Sequence, residues 1–136
     1  MVEAPGRTKT LLDLRLPAER DSVAKARLAA AEIAREVGAE EMDVKIAVTE
    51  AVANAVVHAF RRRAPGTIRL RADRTDETLV ISVADDGGGM RPYLDSPGLG
   101  FGISLITKVA KDVTFDSSDR GTTVLMSFEA GAEAGT

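Results

Sequence analysis

The sequence predicts an α/β (α+β) two-layer sandwich, a mixed, mostly antiparallel sheet with three helices on one face. Apolar residues alternate with polar ones in several short runs, the period of half-buried strands. Two longer stretches before residue 61 repeat their apolar residues at helical spacing instead. In the second half strands follow strands, which favours an antiparallel or mixed sheet with the helices gathered on one side.

Taken in order, residues 1–9 are polar and expected to be loose. Leu12, Leu14 and Leu16 alternate as a strand that Pro17 stops. Ser22 or Asp21 can cap a first helix running to about Val37, with Gly38 as its terminator. A second helix runs from Glu40 or Glu41 to about Phe60. Arg61–Gly66 is a basic turn ending in Pro-Gly. Ile68, Leu70 and Ala72, then Leu79, Ile81 and Val83, form a hairpin across the short polar link Arg74–Glu77. Asp85–Gly102 holds six glycines and two prolines. A third helix from about Ile103 to Ala110 precedes a strand at Val113 and Phe115. A turn at Ser117–Gly121 then leads to a last strand, Thr122–Phe128. The tail from Ala130 to Thr136 has no pattern, so one domain at 10–129 is expected between a loose segment at 1–9 and a loose tail at 130–136.

Composition narrows the function. A chain of 136 residues with 44% hydrophobic and 29% charged residues suits one soluble domain. Without cysteine there is neither a disulfide nor a thiolate metal site, and one histidine excludes the usual multi-histidine zinc centres. A net charge of −3, 4% aromatic residues and no tryptophan argue against a nucleic-acid surface. No signal peptide or long apolar span is visible, so a cytoplasmic protein away from the membrane is expected.

The run Ala47–Ala59 is the most informative stretch. Glu50, Asn54 and His58 recur every four residues, each step advancing about 40° around a helix. They form a slowly turning polar row beside the apolar stripe Val44, Ala47, Val48, Ala51, Val52 and Ala55. A carboxylate and a carboxamide among small apolar side chains need a partner, which a cation, a water or a phosphate would supply. His58 is either the end of that row or a structural histidine bonded to nearby backbone.

Three further elements follow in order. Asp85-Asp86-Gly87-Gly88-Gly89-Met90 succeeds an apolar strand, where an acid can accept from a ligand amine such as that of adenine and glycines admit a flat ring; an ordinary Asp-Gly turn reads the same way. Gly98-Leu99-Gly100-Phe101-Gly102 enters the third helix, as a phosphate cradle or a plain connector. It lacks the Gly-Lys-Ser/Thr of a Walker loop and the strand context of a Rossmann turn. Gly121-Thr122-Thr123 opens the last strand, with hydroxyls that can position an acid holding a base.

With the Glu50/Asn54 helix, these elements in this order resemble the four boxes of the GHKL (gyrase-type) ATPases of the Bergerat fold. More narrowly, the chain resembles the bacterial anti-sigma-factor serine/threonine kinases of the sporulation and general-stress type. The resemblance spans about Leu12 to Phe128 and includes Asp112-Val113 and Asp116-Ser117-Ser118. It implies ATP or ADP with Mg2+ as ligands, Asn54 as the Mg2+ ligand and Glu50 as the general base toward the attacking hydroxyl. It implies Asp85 as acceptor for the adenine amine, with Gly87 and Gly89 lining the base pocket. Gly98, Gly100 and Gly102, with Phe101, would form the hinge and floor of a lid over the phosphates. Thr123, with Thr122, would support Asp85 and the base through water. The implied partners are a sigma factor and an anti-sigma-factor antagonist phosphorylated on serine or threonine, with Arg20 and Arg27 on the first helix as candidate contacts. Arg27 also reads as a surface arginine lying along the apolar stripe. Members of the family are commonly homodimers.

One feature departs from the family pattern. Only Arg91–Pro97 separates Met90 from Gly98, and Asp95-Ser96-Pro97 stand where a basic residue is usual. That bears on rate more than on binding, because neutralising charge is a large part of phosphoryl-transfer catalysis. The alternative reading is a nucleotide-dependent protein-binding module of the same fold with little or no kinase activity. A sensor histidine kinase fragment is disfavoured for want of a helical hairpin bearing a phospho-acceptor histidine, and a ligand-free structural domain is the plainest alternative.

Overall fold

The computed structural model describes residues 8–62, 65–86, 104–118 and 121–131. In chain order the elements are β1 (Thr8–Pro17), α1 (Arg20–Val37), α2 (Glu41–Arg62), β2 (Thr67–Thr75) and β3 (Thr78–Asp85). A short helical segment at 104–109, α3, precedes β4 (Asp112–Ser118) and β5 (Gly121–Glu129). The five strands form one sheet in the order β1-β2-β3-β5-β4. All four pairings are antiparallel, so the expected parallel component is absent among the described residues.

Strict alternation builds the sheet. Ile68, Leu70 and Ala72 on β2, Leu79, Ile81 and Val83 on β3, and Val124, Met126 and Phe128 on β5 are all buried on one face. Against that face pack α1 and α2, whose Ala26, Ala30 and Ala34 and Val44, Ala47, Val48, Ala51, Val52 and Ala55 complete the same core. Small side chains at these positions permit close approach of helix to helix and helix to sheet. Burying each valine stabilises by about 1.5–3 kcal/mol.

Several boundaries differ from the sequence reading. β1 begins at Thr8, inside the stretch expected to be loose, because Thr8 and Lys9 continue the ladder against Thr75 and Arg74. Ser22 is not the N-cap of α1. Glu19 holds that position without a side-chain cap, while the buried Ser22 hydroxyl donates back to the carbonyl of Pro17 at 2.6 Å. Gly38 does terminate α1, in the left-handed conformation at φ +73°.

The hairpin link is only Asp76-Glu77. Arg74 lies within β2, buried, with its guanidinium donating to the carbonyls of Asp76 and Gly131. The amides of Ala130 and Gly131 bond to Glu77 and Val37, which tethers the start of the supposed loose tail. Ser117 and Ser118 belong to β4, and Gly121 already begins β5.

The direction of α2 decides what meets what. At its start, Glu40 and Asp43 line a cleft with Phe128 and Glu129, at the end of the sheet where β3 begins and β5 ends. Near its far end, a Cβ on Gly66 would lie 3.7 Å from Ala59 Cβ and 3.5 Å from Asp86 Oδ1. The helix therefore runs alongside β3 in the same sense and finishes at the Asp85 edge.

Candidate functional site

At that edge the antiparallel register lines up four residues across four strands. Ile68 pairs with Asp85, Asp85 with Thr122 and Thr122 with Ser117. Register partners share a face, so this row continues the buried face toward α2. Ile68 and Thr122 are buried, whereas Asp85 is half-buried. Ser117 Oγ and Thr122 Oγ1 form a hydrogen bond of 3.1 Å. A polar row terminating an apolar sheet face suits the recognition of a flat, partly polar ligand.

Alternation separates the two threonines. Thr122 faces the helices with Asp85, whereas Thr123 pairs with Ala84 on the opposite, open face. Thr122, and not Thr123 of which the support was mainly expected, is therefore the threonine beside Asp85 on the inward face. The two acids separate as well. The Asp86 carboxylate accepts the Thr67 amide at 2.9 Å, and its own amide donates to the Thr67 carbonyl, so Asp86 closes the β2–β3 end.

Asn54 approaches the same edge from α2. It stands five residues before Ala59, about 7.5 Å along the helix axis. Among the described residues four polar side chains are buried, Ser22, Asn54, Arg74 and Thr122. Ser22, Arg74 and Thr122 have hydrogen-bond partners within the protein. Asn54 is 8% exposed, and its side-chain nitrogen has none among the described residues. An unsatisfied buried amide costs about 1–3 kcal/mol, so this position holds a polar group in reserve. Rotating the carboxamide by half a turn exchanges nitrogen and oxygen, so the same place can offer a donor to phosphate or an oxygen to a cation.

Glu50, one turn earlier, is half-buried and makes no ion pair or hydrogen bond with any described residue. His58, one turn later, is half-buried too. Among the described residues no group of three or more histidine, aspartate or glutamate side chains could hold a metal. A hard cation here would be shared between one carboxamide, waters and ligand oxygens, the usual arrangement for magnesium on a triphosphate. The residues present fit that group.

Arg20 is exposed at the start of α1, and Arg27 is half-buried further along it. Gly87, Gly89, Gly98, Gly100, Phe101 and Gly102 lie outside the described residues. Two residues at this edge had no individual role from the sequence: Gly121, read as the opening of the Gly121-Thr122-Thr123 element, and Ser117, read as part of a turn within the resembling Asp116-Ser117-Ser118 segment.

Comparison with known proteins bears on the family and the fold. Residues 16–128 match the histidine kinase-like ATPase domain family. The serine-protein kinase RsbW of Staphylococcus epidermidis is 30% identical over 138 aligned positions, covering 88% of this chain and 86% of that protein. An anti-sigma F factor of Bacillus velezensis is 28% identical, covering 62% of this chain and 66% of the relative. One from Clostridium beijerinckii is 33% identical, covering 43% and 50%, so the chain spans between half and two thirds of these two anti-sigma F factors.

Among solved structures, the RsbU and RsbW domains of a Mycobacterium tuberculosis protein superpose with a TM-score of 0.66 at 21% identity, covering 93% of this chain and 35% of that one. The histidine kinase domain of a blue-light activated kinase from Erythrobacter litoralis gives 0.59 at 23%, covering 85% and 62%. At these identities the two structures speak for the fold. From the matched domain and the staphylococcal relative together, the chain belongs to the histidine kinase-like, GHKL-type ATPase family, in its anti-sigma-factor serine kinase branch.

Proposed function

We propose that this protein is an ATP-dependent serine/threonine kinase acting as an anti-sigma factor, which phosphorylates an antagonist protein and sequesters a sigma factor in a partner switch. The observation that carries this reading is the buried side-chain nitrogen of Asn54, without a hydrogen-bond partner among the described residues, one turn from Glu50, which makes no ion pair with any of them, on a helix that ends at the Asp85 edge.

Asn54 would hold the magnesium of the bound nucleotide. Magnesium, when bound, neutralises charge on the β- and γ-phosphates. Glu50 accepts the proton of the attacking serine or threonine hydroxyl. The hydroxyl oxygen bonds to the γ-phosphorus as the bond from phosphorus to the bridging oxygen breaks, and ADP leaves with that electron pair. Asp85 accepts a hydrogen bond from the adenine amine, and a carboxylate there disfavours a 6-oxo purine. The exposed side of α1, with Arg20 and Arg27, meets the protein partners. ATP and ADP bias the choice between them through unequal affinity of each partner for the two nucleotide states.

The second reading, a nucleotide-dependent binding module, is favoured by one sequence feature, the absence of a cation at Asp95-Ser96-Pro97 before Gly98. One experiment separates the two. With γ-labelled ATP, magnesium and a cognate antagonist, the parent chain labels the antagonist, and Glu50→Gln binds ATP without labelling it. Binding without transfer by the parent selects the module.

A further inference from the structure

We infer that Ser117 is a positioning residue for base recognition, acting through Thr122 on the carboxylate of Asp85; this rests on the nucleotide reading above. The three residues occupy neighbouring strands in register on one face, in the order β4, β5, β3. The bond between Ser117 Oγ and Thr122 Oγ1 is 3.1 Å, and Thr122 is 2% exposed.

Chemistry fixes the polarity of this row. An ionised carboxylate only accepts hydrogen bonds, so it is the terminal acceptor. Register partners bring their Cβ atoms within about 4.5–5.5 Å, inside hydroxyl-to-carboxylate reach. Each hydroxyl has one proton. If Thr122 gave its proton to Ser117, Asp85 would lose a donor from the strand beside it. When Ser117 donates to Thr122, the Thr122 proton is turned toward Asp85, and each bond polarises the next. A carboxylate has about four acceptor sites on its two oxygens, so Asp85 can be held by the protein and still accept from the amine of the base. Ser117 never touches the nucleotide; it sets which way Thr122 donates.

An ordinary cross-strand hydroxyl pair would stabilise the sheet without discriminating between bases, and the test exploits that difference. ATP and inosine triphosphate, whose base carries oxygen in place of the amine, are titrated into the intact chain and its variants. The parent prefers ATP. Ser117→Ala weakens ATP binding about fivefold, the loss of one oriented hydrogen bond, and leaves inosine triphosphate binding unchanged. Ser117→Thr restores the preference, and Ser117→Ala adds nothing in a Thr122→Val background. Equal weakening of both nucleotides, no change in either, or additive losses in the double variant would overturn the role of Ser117 while leaving the nucleotide site standing. A parent chain that binds both alike would overturn base discrimination by Asp85 and this inference with it, and one that binds neither nucleotide would overturn the nucleotide reading itself.

Discussion

Gly121 lies against the backbone of Asp85. A Cβ placed on it would stand 2.0 Å from the Asp85 carbonyl oxygen and 3.2 Å from the Asp86 Cα, and its φ is +137°. Glycine is required here twice over, by conformation and by contact with backbone that cannot swing aside. The first residue of β5 is thereby pressed onto the last residue of β3, which brings the next residue, Thr122, into register with Asp85.

Gly121→Ala is accordingly expected to cost about 2–3 kcal/mol in stability and to weaken nucleotide binding by shifting Asp85. Gly131→Ala, where the nearest atom to an added Cβ is 3.6 Å away, serves as the control and leaves binding unchanged. Urea midpoints and nucleotide titration of both variants check this. An unaltered midpoint and affinity in Gly121→Ala would contradict the close approach.

Asn54 carries a different signature. Replacing an unsatisfied buried amide by an apolar group of similar shape removes a desolvation penalty. Asn54→Leu should therefore melt at the same temperature as the parent or higher, in the absence of nucleotide, and lose magnesium-dependent nucleotide binding. Stability gained where function is lost marks a site strained for its ligand. A clear loss of stability in the ligand-free variant would make Asn54 a structural residue.

The open face of the sheet supplies a pH prediction remote from the site. Arg69 grips Asp13 with two hydrogen bonds of 2.8 and 2.7 Å. Hydrogen bonding to that guanidinium, aided by its charge, holds the Asp13 carboxyl below its ordinary 3.8. A lowered carboxyl pKa means that the folded chain binds fewer protons than the unfolded chain near pH 3.8 and below. Its contribution is present above that pH and is lost as pH falls through the lowered value. Both groups are exposed, so the effect is small. The fall in urea midpoint between pH 7 and pH 3 should be shallower in Asp13→Asn than in the parent, with nucleotide affinity unaltered. A steeper acid loss in the variant would contradict the pairing.

Local rules made much of this fold legible. The period of α2 forecast its buried stripe, and alternation forecast β2, β3 and β5 with their inward residues. Contacts between distant segments were not legible. Thr8 and Lys9 look polar and loose until Thr75 and Arg74 supply a ladder. Arg74 reads as a turn residue until Gly131 provides a carbonyl for its buried guanidinium. Ser22 suits an N-cap by type, but its hydroxyl is taken by Pro17. At the candidate site, residue types singled out Glu50, Asn54 and Asp85 as candidates. Which of two adjacent threonines faces Asp85 depends on strand register, and a one-residue change of register inverts the answer.

The central claim is that Asn54 and Asp85 hold the two ends of one nucleotide, phosphate and base. Titration calorimetry of ATP into the parent chain, Asp85→Asn and Asn54→Leu, with magnesium and with a chelator, tests it most directly. One ATP per chain is expected, with a loss of roughly tenfold or more in affinity from either substitution, the size of one or two charge-assisted contacts. Chelation should weaken the parent but not Asn54→Leu. Two sites per chain, each abolished by a different substitution, or saturable binding indifferent to both, would contradict it.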